Sequence, residues 1–290
     1  MAVHEEFSRV SVPVLLLIIL GAVVFTVLTV SVIWPEWLDS NLLPVPEAVA
    51  SVSLFAVLWF AMWLAARRNG VRFSEGLRFD LSRREAADLV LMGVPMVASA
   101  VLAVYVFYLP LSYIWPAFVS EWLLEDWTPI IWYRTETVYV VCSIVNVIAA
   151  VILAPVVEEF FFRGLLFSRF LKRFGLIAAM IVPSLLFGVL HADVLGAFFF
   201  GVILSFLFLR TGSLVGPIII HMSNNALAVL TEFADSWYYG RNSEMTLAEF
   251  QAYWWLAPIA AVICIPWIIW FWRRWLVPRA GAEVAAQPTE

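Results

Sequence analysis

Two adjacent carboxylates stand in one of the most apolar stretches of the sequence, APVVEEFFFRGLLF, residues 154–167. Glu158 and Glu159 are followed by Arg163, four residues after the second acid. Residues four apart share one face of a helix, so Glu159 and Arg163 are predicted to pair while Glu158 points about 100° away. An ionisable group in hydrocarbon is costly unless it is paired or hydrated. Glu158 is therefore predicted to be free for chemistry; the alternative is a helix end with solvated charges.

A histidine follows in the motif FGVLH, residues 187–191. If the chain reverses near Phe174, Glu158 and His191 both lie roughly 24–26 Å from the turn, at 1.5 Å per helical residue. The two side chains would then be neighbours on antiparallel helices. A carboxylate and an imidazole at one depth can hold a water molecule between them. The alternative for His191 is an ordinary loop residue.

A second histidine motif, HMSNN, covers residues 221–225. His221 and Asn225 are four apart and share a helix face, and Asn224 could replace Asn225 in a distorted helix. The alternative is hydrogen bonding between helices, for which His and Asn are suited. His221 also lies nearer the middle of its segment than His191, so helix tilt or offset must bring the two level. Together, the polar groups could supply a general base, a water and an oxyanion-stabilising pair.

Other catalytic signatures are missing from the sequence. It contains neither GxSxG nor HExxH, and its two cysteines, Cys142 and Cys264, both lie in apolar segments without CxxC spacing. Two histidines and a glutamate could bind zinc. The adjacent arginine opposes a bound dication, so a site without a cofactor is favoured and zinc stays open.

The elements that must position these residues are membrane helices. The 290 residues are 63% hydrophobic and 13% charged, which is far more apolar than a soluble domain. We predict an all-α, multi-pass transmembrane bundle of about eight helices, forming a single integral membrane domain over 1–290 with a disordered tail at 280–290. The first apolar run is interpreted as a retained helix, and Pro155 is predicted to kink or widen the fourth. The eight apolar segments are 12–33, 47–66, 86–108, 137–170, 175–192, 194–209, 213–231 and 252–272.

Arginine and lysine predict the orientation. With the N-terminus in the cytoplasm, only Arg134 and Arg241 fall on the outer side, which instead collects acids. Both termini are therefore predicted to be cytoplasmic. The segment 109–136, rich in Trp and Pro, is predicted to lie along the outer surface. The basic residues of the predicted cytoplasmic loops and C-terminal segment are Arg67, Arg68, Arg72, Arg78, Arg83, Arg84, Arg169, Lys172, Arg173, Arg210, Arg273, Arg274 and Arg279.

Taken in order, EExxxR, FxxxH and HxxxN on separate predicted helices resemble the CPBP family, the CAAX protease and bacteriocin-processing enzymes, also called Abi. This family includes the type 2 CAAX prenyl endopeptidases. The resemblance covers residues 154–228 and implies an all-helical intramembrane protease. By the same resemblance, Glu158 would activate water with help from His191, and His221 and Asn225 would steady the oxyanion. Glu159 and Arg163 would shape the site. Members have been described both as metalloproteases and as metal-free glutamate proteases.

The expected substrate is a peptide or a membrane-anchored protein, prenylated or not, and the expected location is a bacterial or archaeal cell membrane. The lipid bilayer is the other expected partner, and nothing indicates nucleic-acid binding. Two other classes remain open. An ion-coupled transporter also uses intramembrane Glu, His and Arg, although no inverted repeat is visible. A non-catalytic immunity or scaffold protein would bind a partner through the same residues.

Overall fold

A computed structural model describes residues 2–36, 44–78, 82–125, 129–240 and 245–276. The predicted tail 280–290, Arg241 and Arg279 lie outside these described residues. The described residues form helices and connecting turns, which agrees with the predicted all-α class. The α-helices are α1 (Ala2–Phe7), α2 (Val12–Ile33), α3 (Pro44–Arg68), α4 (Arg83–Leu91), α5 (Gly93–Ile114), α6 (Pro116–Val119), α7 (Thr137–Ile148), α8 (Ala154–Glu158), α9 (Ser168–Val189), α10 (Val194–Thr211), α11 (Val215–Tyr239), α12 (Leu247–Ala252) and α13 (Leu256–Phe271).

Six helices in the described ranges are long and apolar enough to cross a membrane, against about eight predicted. The fourth and fifth predicted segments fall within one candidate span, because the chain is helical from 137 to 189 apart from a single break. The seventh predicted segment, 213–231, falls largely in α11. This helix is long enough to cross a membrane, at 25 residues, so it is its polar residues that exclude it from the six candidate spans. The six are Val12–Ile33, Pro44–Arg68, Arg83–Ile114, Thr137–Val189, Val194–Thr211 and Leu256–Arg274.

The break that folds the long helical run back on itself is at Gly175. Its φ of 82° lies in the region that glycine adopts without a steric penalty, whereas every other residue type is strained there. Beyond it, α9 returns along the preceding helix, and the rings of Phe187 and Phe162 meet with centroids 5.2 Å apart. The predicted reversal near Phe174 is therefore confirmed, one residue later.

The helix that carries the two acids is not a regular α-helix. Stretches Ala149–Leu153 and Glu159–Phe167 are π-helical, on either side of α8. Pro155 lies in the first turn of α8, where it has no N–H to donate to a carbonyl one turn earlier. A π-helical turn has more residues per turn than an α-helix, so the helix is distorted on both sides of Pro155, near the predicted position; that this proline is the cause stays a prediction.

The core sits around this irregular helix. Every residue from Glu159 to Phe167 is buried, and α10 and α9 pack closely against each other beside it. Gly188 allows that approach, because a Cβ there would lie 2.6 Å from the carbonyl oxygen of Val194. Apolar side chains on outer helices are instead exposed, such as Leu17 at 66%, as expected of a surface that faces lipid.

Candidate active site

A buried charge cluster forms the floor of the site. Arg163 Nη1 donates to Glu159 Oε1 over 2.8 Å, and both side chains are almost completely buried. The guanidinium carbon also lies 4.4 Å from the ring centroid of Phe187, a cation–π contact. The predicted pair between Glu159 and Arg163 is therefore confirmed. Since a buried carboxylate needs such a partner, this acid is fixed in place.

His221 joins this cluster from α11. Its Nδ1 lies 2.7 Å from the same Glu159 oxygen, and a carboxylate oxygen can only accept, so Nδ1 carries the proton. In the neutral ring, Nε2 then holds a lone pair. That nitrogen lies 3.6 Å from Glu158 Oε2. Glu159 thus orients an imidazole toward its own neighbour in sequence, as the carboxylate of a catalytic triad orients its histidine.

Glu158 occupies the border between this cluster and an open pocket. Its side chain is 17% exposed, whereas that of Glu159 is 0% exposed. Because successive helical residues point about 100° apart, the pairing of Glu159 with Arg163 turns Glu158 toward the pocket. Glu159 is thus the paired acid, as predicted, and Glu158 lies in the pocket wall beside His221; its availability for chemistry stays a prediction.

His191 follows the end of α9 and lines the pocket. Its Nδ1 lies 2.7 Å from the carbonyl oxygen of Phe187, so Nδ1–H donates and Nε2 is left as an acceptor. Beyond it, Asp193 Oδ1 accepts the N–H of Gly196 and caps α10. Burial raises the pKa of this capping carboxyl to about 6.

Asn225 lines the pocket from α11, one turn after His221. Its Nδ2 donates to the carbonyl oxygen of Ala150 over 2.9 Å, within the π-helical stretch. Asn224 Nδ2 donates to Asn225 Oδ1 over 3.2 Å. Among the described residues that line the pocket, Asn225 is present and Asn224 is not, so Asn225 is the better candidate for a role there.

The pocket has a volume of about 310 Å³ and lies between α3, residues 129–130 and the helical run from α7 to α8. Three of the four predicted catalytic residues, Glu158, His191 and Asn225, are in its wall. His221 is not among the described residues that line it and is 2% exposed. Its predicted contact with an oxyanion therefore stays a prediction, and its position supports a contact with Glu158 instead.

Metal binding can be judged from the donor set. In the part of the chain that the structure describes, no group of three or more His, Cys, Asp and Glu side chains is close enough to hold a metal ion. The residues therefore do not fit a zinc site with three protein ligands. What they do provide is a carboxylate, Glu158, and an imidazole, His191, that line the same pocket.

Comparison with protein families gives one match in the same region. Residues 140–227 match the family described as Type II CAAX prenyl endopeptidase Rce1-like. This segment of the chain is thus similar to the Rce1-like family. The match covers less than one third of the chain but includes all six predicted site residues. It confirms the resemblance to CPBP proteins that the three motifs indicated, and this is a family of peptidases.

A curated relative supports the same assignment. The Bacillus subtilis protein described as "Putative membrane peptidase YdiL" is 28% identical over 89 residues, which make up 30% of this chain and 36% of that protein. The matched region thus spans about a third of the relative's length. No solved structure matches the chain.

One pocket residue in the Rce1-like segment was missed by the sequence reasoning. Asn146 on α7 is buried, lines the pocket and precedes Glu158 by 12 residues. The available signal was its polarity inside the apolar segment 137–170. A single amide without a recognisable motif gives no hint of the pocket that it faces.

Proposed function

We propose that the chain is an intramembrane endopeptidase that hydrolyses a peptide bond with a water activated by Glu158. The observation that carries this proposal is the position of Glu158, which lines the pocket while its neighbour is held by Arg163. The match of residues 140–227 to a family of peptidases supports the reaction class. The proposed substrate is a membrane-associated protein or peptide, prenylated or not.

In the proposed first step, a water bound between Glu158 and His191 attacks the scissile carbonyl. The Glu158 carboxylate takes a proton from the water, and His191 Nε2 accepts a hydrogen bond that orients it. The water oxygen forms a bond to the carbonyl carbon, and the carbonyl oxygen becomes an oxyanion. The free N–H of Asn225 is the pocket donor placed to stabilise it.

In the second step, the C–N bond breaks. Protonated Glu158 returns its proton to the departing amine nitrogen, which leaves a new carboxylate and a new amine. His221 assists without touching substrate. Its Nε2 lone pair faces Glu158, so it can take up a hydrogen bond from the protonated acid, and Glu159 holds the ring for this purpose.

Substitution of Glu158 tests the proposal directly. Glu158→Gln keeps the shape of the side chain and removes the base, so cleavage should fall by about 10²- to 10⁴-fold. The measurement is comparative peptidomics of membranes from cells lacking the protein and supplied with wild type or the variant. Glu136→Gln is the matched control, because Glu136 is an exposed residue at the start of α7.

Two results would contradict the proposal. Peptide products that form equally with wild type and Glu158→Gln would show that this acid is not the base. A protein that drives solute uptake into vesicles, or that supports cellular function with Glu158→Gln in place, belongs instead to the transporter or scaffold class.

A further inference from the structure

Asn146 has a buried oxygen that the fold leaves unpaired. The residue is 6% exposed, and its Oδ1 has no hydrogen-bond partner among the described residues. Buried polar atoms are nearly always hydrogen-bonded, and an exception in a native structure calls for a ligand or water. Asn146 lines the same pocket as Glu158, so a group bound in that pocket could supply the missing partner.

The position of Asn146 along the pocket limits what that partner can be. Asn146 lies one helical turn before Ala150, whose carbonyl accepts from Asn225. From Asn146 to Glu158 the helix rises up to roughly 18 Å at 1.5 Å per residue. This is too far for Asn146 to touch a bond that is cut at Glu158. An extended peptide, which rises about 3.3 Å per residue, covers the same distance with roughly five residues.

An extended peptide in such a pocket needs hydrogen-bond acceptors for its backbone N–H groups. Its backbone N–H groups have left the helix or the water that satisfied them, and each requires an acceptor in a water-poor environment. Asn146 Oδ1 is a buried acceptor that has no donor among the residues that the structure describes. A backbone N–H of the substrate could therefore donate to it.

We propose that Asn146 is a substrate-binding residue whose amide oxygen accepts a backbone N–H of an extended peptide, roughly five residues from the scissile bond. This inference rests on the proposed peptidase function and assigns one remote subsite of the pocket. Recognition of backbone rather than side chain means that the subsite selects for extended conformation and for peptide length.

The test uses one peptide in two lengths. The probe is the sequence with the largest wild-type-dependent product in the peptidomics comparison, made with a fluorophore and a quencher. The long form keeps six residues on each side of the cut, and the short form keeps two. Asn146→Leu should lower kcat/KM on the long peptide by roughly threefold to tenfold, mainly through KM, as for one lost hydrogen bond. On the short peptide the same variant should match wild type.

The difference between the two lengths separates binding from folding. A structural defect would reduce cleavage of both peptides, and such an equal loss would overturn the proposal, as would no loss on the long form. Asn146→Ala repeats the test if leucine does not fit. Ile144→Ala, exposed on the same helix, is the control and should leave both rates unchanged. If Glu158→Gln also cleaves the peptides at the wild-type rate, both the proposed peptidase function and the proposed subsite are wrong. If Glu158→Gln is inactive but Asn146→Leu cleaves both peptides at the wild-type rate, only the subsite is wrong.

Discussion

At the scale of single residues, the site depends on two neighbouring acids with different surroundings. Glu159 is enclosed by Arg163 and His221, whereas Glu158 faces the pocket. Their side chains differ in direction only because consecutive helical residues point about 100° apart. A single arginine one turn later thus pairs with one of the two acids, while the other lines the pocket. We infer that the arginine is required for the folded state before it matters for chemistry.

Removal of Arg163 tests this order of importance. Arg163→Leu leaves the Glu159 charge buried without its cation, which should lower the free energy of unfolding by about 3–5 kcal/mol. Adding Glu159→Gln to the same chain removes the orphan charge and should restore most of the loss. The measurement is equilibrium unfolding in detergent micelles titrated with SDS.

The matched control is Arg173→Leu, an exposed arginine near the turn after the same helix, which should change stability by no more than about 0.5 kcal/mol. If Arg163→Leu proves as mild as that control, the buried ion pair does not hold Glu159. A double variant no more stable than the single one would show that the loss comes from packing around Phe187 and not from charge.

At the scale of elements, the wall of the pocket is completed by the short segment before α7. Residues 129–130 line the pocket, and the N–H groups of Ile130 and Ile131 both donate to Glu232 Oε1, over 2.8 and 3.0 Å. The N–H of Trp132 donates to Ser143 Oγ. One carboxylate on α11 therefore holds a segment that has no helical hydrogen bonds of its own. Glu232 thus anchors a segment that forms part of the pocket wall.

Substitution of Glu232 should loosen this segment selectively. Glu232→Leu removes the acceptor of two N–H groups, and hydrogen bonds to a charged group contribute about 1.5–3 kcal/mol each. Amide exchange at residues 130–131 should become roughly 10- to 100-fold faster, while α9 and α10 keep their protection. Hydrogen–deuterium exchange with mass spectrometry measures both. Glu232→Gln retains a carbonyl acceptor and should stay close to wild type; equal exchange in all three proteins would rule out the role of Glu232.

Local rules predicted much of this arrangement, and tertiary packing decided the rest. Apolar runs located the helices, and the four-residue spacing predicted the pair between Glu159 and Arg163. The two π-helical stretches were not predicted, because Pro155 indicates a distortion without giving its form. The bond from His221 to Glu159 joins residues 62 positions apart, and no spacing rule connects them. Asn146 was missed for the same reason, since its significance lies in the helices that surround it.

At the scale of the whole molecule, the basic turns gather at one end. Arg169 Nη1 donates to the carbonyl of Ser8, and Arg9 Nη1 donates to that of Gly70, so the N-terminal helix is tied to two arginine-rich turns. Ser213 Oγ donates to the carbonyl of Arg78. Turns that are far apart in sequence thus share one end of the bundle. A common end is what the positive-inside rule requires of residues on one side of a membrane.

This clustering leads to a test of orientation, with both termini expected in the cytoplasm. Ser74→Cys places an exposed thiol in the arginine-rich turn, and Thr135→Cys places one just before α7, at the other end of the molecule. The native Cys142 and Cys264 are buried and should react slowly. A membrane-impermeant maleimide added to intact cells should label Thr135→Cys and not Ser74→Cys, and permeabilisation should make both react. Labelling of Ser74→Cys but not Thr135→Cys in intact cells would show that the predicted orientation is wrong and that the basic turns lie outside the cell. Labelling of both thiols before permeabilisation would show that the two ends are not on opposite sides of the bilayer.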